Sequence, residues 1–175
     1  MKAQFLLVPA VAIVAVATPA YAKVFLSVEQ AQQLMFPGAT FTQQPLTLTD
    51  DQVHAIEKAS QTDVLSHQVQ LWKVSTGGWV IVDQVVGKHE FIPIAVGLDD
   101  SGAVKSIEIL EYREAFGDQV RNPQWLAQFY GKRNGATLTL TKDIQNISGA
   151  TLSSKHITDG VRRLLATYAI AIASH

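Results

Sequence analysis

The stretch that decides the fold is VQLWKVSTGGWVIVDQVV, residues 69–86, in which two runs of alternating side chains flank a glycine pair. Alternation with a period of two is typical of a half-buried strand, and Thr76-Gly77-Gly78 is typical of a turn, so the segment predicts a β-hairpin. Residues 91–98 predict another strand, and residues 103–112 predict a further alternating one. Strands that follow one another through short turns indicate an antiparallel meander rather than a βαβ unit.

Helices and one more strand are predicted before the meander. Ser27-Val28-Glu29-Gln30 is typical of a capping box and predicts a short helix that runs through Met35. The threonine-rich residues 40–48 predict a strand. Thr49, which two aspartates follow, predicts the start of a second helix that ends near Ala59.

The part of the chain after the meander is predicted to be mainly helical. Asn122 as a cap and Pro123 in the first turn predict a short helix that ends near Tyr130. Residues 137–140 predict a brief strand, and residues 154–173 predict a longer C-terminal helix with one apolar stripe. The predicted fold class is therefore α+β: an antiparallel β-meander packed with short helices and a longer C-terminal helix. On that last helix we expect Arg162-Arg163 to form a solvated face.

The N-terminus has the pattern of a secretory signal peptide. Lys2 precedes the nearly unbroken apolar residues 5–22, which end in Ala20-Tyr21-Ala22. A short basic start, an apolar stretch and small residues before the cut are what a signal peptidase requires. We expect residues 1–22 to be removed and residues 23–175 to form one periplasmic domain. A retained membrane anchor is the alternative, although two prolines interrupt the stretch.

Composition excludes several classes of site and partner. The 175 residues include no cysteine, which excludes disulfides, thiolate metal sites, iron–sulfur clusters and the attachment of c-type haem. The formal net charge is −1 and the chain has no basic run, so nucleic acid is not an expected partner.

The segment with the clearest chemical pattern is Ile147-Ser-Gly-Ala-Thr-Leu-Ser-Ser154, directly before the predicted C-terminal helix. Unpaired backbone N–H groups and the helix dipole favour an anion at such a place, and Gly149 allows close approach. Ser153 and Ser154 are candidates both to cap the helix and to donate to phosphate oxygens. The segment is therefore a candidate phosphate site, and an ordinary loop with an N-cap is the alternative.

The same residues resemble the flavinylation motif of the FMN-binding domain family, which includes periplasmic domains of the G subunit of the Rnf complex and of the C subunit of the sodium-pumping NADH:quinone oxidoreductase. Ser148, Gly149, Ala150 and Thr151 match the S/T-G-A-T motif in place. The resemblance implies that FMN is attached to Thr151 through a phosphoester, and that a Mg-dependent flavin transferase installs it from FAD. Gln145 stands where the family usually has aspartate, with Asp143 two residues upstream.

The resemblance extends over about residues 85–170. It includes Val86–Glu90, the Glu114-Ala-Phe-Gly117 turn and a W…QF-x-G-K pattern that begins at Trp125. It implies that Glu114 and Gly117 line a flavin pocket, although Gly117 could instead serve only the turn.

The remaining candidate side chains are aromatic residues and histidines. Tyr112, Trp125, Phe129 and Tyr130 could stack on a flavin ring, but we expect them to belong to the core. His89 beside Glu90 has no further ligand at metal spacing, so no metal site is predicted.

These observations predict an exported electron-transfer flavoprotein with FMN on Thr151. Its expected partners are the flavin transferase and redox proteins, with a quinol- or haem-linked donor, and a membrane only if the signal is retained. A small flavin-dependent reductase with its own substrate, or a non-redox module that has lost the flavin, are the alternatives. An electron carrier that is a substrate of a flavin transferase is favoured over a stand-alone enzyme.

Overall fold

The structure is a computed structural model that describes residues 23–114 and 116–173. The predicted signal peptide, residues 1–22, lies outside the described residues. Within those ranges, no helix combines the length and the apolar character that crossing a membrane requires.

The centre of the fold is an antiparallel sheet with strand order β2-β3-β4-β5-β6, and a short pair, β1 with β7, lies beside it. The strands are β1 Lys23–Val24, β2 Phe41–Thr47, β3 Gln68–Val74, β4 Trp79–Val86, β5 Phe91–Leu98, β6 Val104–Ile109 and β7 Glu111–Tyr112. The α-helices are α1 Val28–Met35, α2 Asp50–Ser60, α3 Pro123–Leu126 and α4 Thr151–Thr167. The fold is α+β, which confirms the predicted meander and the predicted fold class.

Local capping sets the starts of three helices as the sequence predicts. Ser27 and Thr49 each form a capping box, with Gln30 and Gln52 as their reciprocal partners. The side chain of Asn122 accepts a hydrogen bond at the start of α3, which continues as a 3-10 turn through Phe129.

The predicted strand over residues 103–112 is divided at Leu110. The carbonyl oxygen of Leu110 accepts hydrogen bonds from the N–H groups of Phe25 (2.9 Å) and Leu26 (3.2 Å). The N–H of Leu110 still donates to the carbonyl oxygen of Pro93 in β5 at 2.9 Å, and beyond this residue β7 pairs with β1.

The predicted strand over residues 137–140 is wrong, because the carboxylate of Asp143 takes the N–H groups that a strand would use. Asp143 accepts hydrogen bonds from the N–H groups of Leu138 at 3.0 Å and Thr139 at 2.8 Å. Leu138 has φ 39° and Thr141 has φ 65°, and this left-handed backbone is incompatible with a strand. The segment is a loop with a single bridge between Leu140 and Ile144.

The C-terminal helix begins at Thr151, three residues before the predicted start, and its last turn, Tyr168–Ile172, is a π-helix. The expectation that Ser153 and Ser154 cap it is wrong. Ala150 is the N-cap residue and supplies no side-chain hydrogen bond, while its carbonyl oxygen accepts from the N–H of Ser154 at 2.9 Å.

The sheet is covered on both faces. Ile81 belongs to the main apolar core together with Val161 of α4, whereas the adjacent Val80 packs in a second core with Ala31 of α1. Neighbouring residues of one strand point to opposite faces, so β4 is buried on both sides.

The expectation that Arg162 and Arg163 form a solvated face is wrong. Arg163 is 4% exposed, and its Nη2 donates to Asp83 Oδ2 at 2.7 Å and to the carbonyl oxygen of Gln84 at 2.8 Å. Arg162 is half-buried and its Nε donates to the carbonyl oxygen of Ser60 at 2.6 Å. A buried guanidinium is tolerated here because its donors meet a carboxylate and carbonyl oxygens.

Candidate functional site

A cleft of about 530 Å³ lies at the N-terminal end of α4. Its lining comes from three segments: Lys88 and His89 in the β4–β5 turn, Glu114 and Phe116 after β7, and residues 149–153. Small-molecule sites typically measure about 300–1,000 Å³, so the cleft has the size of one.

The first turn of α4 is open on its cleft side. Gly149 has φ 83°, and a side chain built on it meets nothing within 4 Å. Because Ala150 as N-cap has no side-chain acceptor, no side chain of the described residues caps the first N–H groups of the helix. Uncapped N–H groups and the positive end of the helix dipole suit an anionic group such as a phosphate.

The hydroxyl of Thr151 is exposed on this first turn and lines the cleft. Asn146 Nδ2 donates a hydrogen bond to Thr151 Oγ1 at 3.0 Å. Sequence reasoning missed Asn146, because a single asparagine five residues before the threonine has no pattern of its own.

The predicted site residues divide into those at the cleft and those outside its lining. Gly149, Ala150, Thr151, Ser153 and Glu114 line it. Ser148 is exposed outside the lining, and Ser154 is fully buried. Gly117 lies outside the lining, and a Cβ on it would lie 3.5 Å from the Cβ of Ala150.

Ser153 and Gly117 belong to one packed cluster around Tyr112. The Tyr112 hydroxyl donates to the carbonyl oxygen of Phe116 at 2.7 Å, and Ser153 Oγ lies 2.9 Å from the same hydroxyl. A Cβ at Gly117 would lie 2.5 Å from the Tyr112 hydroxyl oxygen, and Gly117 has φ 102°. Glycine is therefore required there for conformation and for space.

The carboxylate of Glu114 forms part of the wall and holds the β4–β5 turn. Glu114 Oε1 accepts from the N–H groups of His89 at 2.6 Å and Glu90 at 3.1 Å. Burial opposes the charge, but backbone hydrogen bonds from His89, Glu90 and Lys88 outweigh it and hold the pKa of Glu114 below its ordinary value. A Cβ at Gly87 would lie 2.5 Å from the same oxygen, so the close approach also needs glycine.

The lining combines exposed apolar side chains with polar and ionisable ones. Phe116 is 84% exposed and Leu152 is 47% exposed, so both present apolar surface at the cleft. Lys88 and His89, which belong to the β4–β5 turn, are also exposed and line the cleft. The cleft therefore offers contacts to a ligand that carries both an apolar ring and negative charge.

Trp125 and Gln128, from the W…QF-x-G-K pattern, hold the main chain of the segment before Thr151. Trp125 Nε1 donates to the carbonyl oxygen of Gln145 at 2.6 Å, and the N–H of Gln145 donates to Gln128 Oε1 at 2.7 Å. Tyr112, Trp125 and Phe129 are core residues as expected, whereas Tyr130 is 45% exposed, so the expectation that it lies in the core is wrong.

Acidic and histidine side chains do not assemble into a metal site in the described part of the chain. His156 is half-buried and lines a separate hollow with Asp159 and Arg163.

Comparison with known proteins identifies this region. Residues 87–166 match the family model described as FMN-binding domain. The match includes all three segments that line the cleft. No curated protein matches the chain.

Proposed function

Because residues 87–166 match the family model of the FMN-binding domain, we propose that this protein is an electron carrier whose FMN is joined through its phosphate to Thr151. The observation that carries the proposal is the exposed Thr151 hydroxyl on an uncapped first helical turn that opens into the cleft. FMN supplies one- or two-electron redox chemistry when it is bound.

The residues at the cleft fit FMN. The N–H groups of the first turn of α4 suit its phosphate, and Gly149 leaves room for close approach. Phe116 and Leu152 offer exposed apolar surface for the flavin ring. In this proposal Ala150 keeps the approach open and Ser153 contributes a hydroxyl group near the phosphate, whereas Ser148 lies outside the lining and Ser154 is buried.

Glu114 and Gly117 have supporting roles in the proposal. The carboxylate of Glu114 holds the turn that presents Lys88 and His89 to the cleft. Gly117 leaves room for the Tyr112 hydroxyl, which donates to the carbonyl oxygen of Phe116. Both therefore shape the flavin pocket by fixing its walls.

Attachment requires a nucleophile, and Thr151 provides it. Thr151 Oγ forms a bond to the phosphorus of the FMN half of FAD, the pyrophosphate bond breaks, and AMP leaves with the electron pair. The hydroxyl proton passes to a base of the Mg-dependent flavin transferase that we propose as the maturation partner.

We also propose that the protein works in the periplasm after removal of residues 1–22. The pattern of a basic start, an apolar stretch and Ala20-Tyr21-Ala22 supports export. A covalent bond keeps the cofactor on an exported protein, from which a dissociated flavin would be lost. Redox proteins with a quinol- or haem-linked donor are the proposed partners.

Intact-protein mass spectrometry tests attachment and export together. The full chain is co-expressed with a flavin transferase and recovered from the periplasm, as wild type, Thr151→Ala and Ser148→Ala. We expect a mass that begins at Lys23 and includes FMN less one water in the wild type and in Ser148→Ala. Thr151→Ala should have the same start and no flavin. Ser148→Ala is the matched control because it removes a neighbouring hydroxyl of the same motif.

Two results contradict the proposal. Flavin retained covalently in Thr151→Ala places the bond elsewhere, and an unmodified wild type removes the covalent claim and favours the module without flavin. Rapid turnover of a small acceptor by the flavinylated protein alone would indicate a reductase rather than a carrier.

A further inference from the structure

The segment before Thr151 holds one polar side chain directly against the hydroxyl. Asn146 Nδ2 lies 3.0 Å from Thr151 Oγ1 and donates to it. Both residues are exposed, so the contact is not forced by core packing.

Hydrogen bonds hold the backbone both before and after Asn146. The N–H and carbonyl groups of the preceding Gln145 are bound by Gln128 and Trp125, at 2.7 Å and 2.6 Å. On the other side, the N–H of Ala150 donates to the carbonyl oxygen of Ile147 at 3.0 Å and closes the turn between Asn146 and Thr151. The side-chain amide of Asn146 therefore contacts the Thr151 hydroxyl from a backbone segment that these hydrogen bonds hold in place.

The direction of this hydrogen bond has a chemical consequence. A threonine hydroxyl has one proton and two lone pairs, and an amide N–H occupies one lone pair while it leaves the proton and the other lone pair free. The bond also selects one side-chain rotamer of Thr151. A donor aimed at an oxygen stabilises negative charge that develops there as the proton leaves.

We propose that Asn146 is the positioning residue for flavin attachment, with its Nδ2 holding Thr151 Oγ in the orientation for attack. The inference rests on the proposed function of Thr151. The step is the transfer given above: the Oγ–P bond forms, the pyrophosphate bond of FAD breaks, AMP leaves with the electron pair, and the proton goes to a base of the transferase. An amide is not that base, so Asn146 acts only through Thr151.

Gln145 is the natural comparison residue. It stands at the place of the motif aspartate, yet its contacts with Trp125 and Gln128 are made by its main chain. Truncation of its side chain leaves both main-chain contacts in place. The side chain that donates to the Thr151 hydroxyl is that of the next residue, Asn146.

The test measures flavinylation of the full chain by a purified flavin transferase with FAD and Mg²⁺, followed by intact mass over time. Asn146→Ala should lower kcat about tenfold or more, since misplacement of a reacting group can cost about 10²-fold. The KM for the acceptor protein should stay within about threefold. Asn146→Asp, which keeps the shape but has no donor when ionised, should be similarly slow. Gln145→Ala should react at the wild-type rate.

The outcomes separate this inference from the proposed function. A wild type that is never modified removes the proposed function itself. A modified wild type with an equally fast Asn146→Ala or Asn146→Asp overturns only the positioning role, and a change confined to KM overturns it in favour of docking. The thermal unfolding midpoints of the variants should match that of the wild type, because surface substitutions seldom change stability.

Discussion

At the scale of single residues, one carboxylate shapes the cleft. Glu114 Oε1 takes the N–H groups of His89 and Glu90, which lie 25 and 24 residues earlier in the chain. Without this acceptor the β4–β5 turn would lose the contact that ties it to the segment after β7. Lys88 and His89 therefore reach the cleft on a turn that Glu114 holds.

Stability should fall in acid partly through this carboxyl. The pKa of Glu114 in the folded protein lies below its ordinary value of 4.5, so the ionised form is favoured by folding. The stabilisation is present above the ordinary value and is lost as the pH falls through the lowered one. Glu114→Gln should show a shallower decline of the unfolding free energy below about pH 5 than the wild type.

Urea unfolding at a series of pH values measures this dependence. Glu90→Gln is the matched control, because it removes a charge in the same turn while the backbone contacts of Glu114 stay in place. Identical pH profiles for the wild type and Glu114→Gln would show that these contacts contribute nothing to folding.

At the scale of elements, α4 packs against β4 at Gly160, which has no side chain. A Cβ built on Gly160 would overlap Val85 Cγ1, and both residues are buried. The glycine costs helix propensity of about 1 kcal/mol relative to alanine, which the close approach offsets. This contact sets how near the helix, and hence Thr151 at its start, comes to the sheet.

Gly160→Ala should lower the free energy of unfolding by about 2 kcal/mol, because an overpacked contact typically costs about 1–3 kcal/mol. In a Val85→Ala background the same substitution should be neutral or stabilising, since the overlap is gone and the gain in helix propensity remains. Urea unfolding of the four proteins in this double-mutant cycle measures the coupling. Equal costs of Gly160→Ala in the two backgrounds would contradict the proposed overlap.

At the scale of the whole molecule, Arg163 joins three parts of the chain. From α4 it donates to Asp83 Oδ2 in β4 at 2.7 Å and, through Nη1, to the carbonyl oxygen of Asp63 after α2 at 2.8 Å. Its neighbour Arg162 donates to the carbonyl oxygens of Ser60 and Leu138, at 2.6 Å and 2.7 Å. The two arginines connect helix, sheet and loops that are far apart in sequence.

Arg163→Met should destabilise the protein by about 3–5 kcal/mol, because it leaves Asp83 and two carbonyl groups without their buried partner. Arg133→Met is the control: Arg133 is exposed and its hydrogen bond to Ser101 is a surface contact, so the change should cost less than about 1 kcal/mol. Chemical unfolding gives both values. Similar small losses in the two variants would show that the buried cluster contributes little.

The sequence by itself determined the features that depend on neighbouring residues. The alternation around Gly77-Gly78 predicted the central hairpin, and Ser27 and Thr49 predicted two helix starts, since a capping box spans only four residues. The motif at Thr151 predicted the FMN-binding domain, which the family match confirms.

Tertiary structure decided what depends on contacts between distant residues. Helix α4 begins at Thr151, and the Ser153 hydroxyl lies against that of Tyr112 instead of capping the helix. Residues 137–140 form a loop because Asp143 accepts hydrogen bonds from two of their N–H groups. A local pattern of hydroxyls and threonines does not contain those partners. The hydrogen bond of Asn146 to Thr151 and the burial of Arg163 also depend on the path of the folded backbone, which brings each donor to its acceptor.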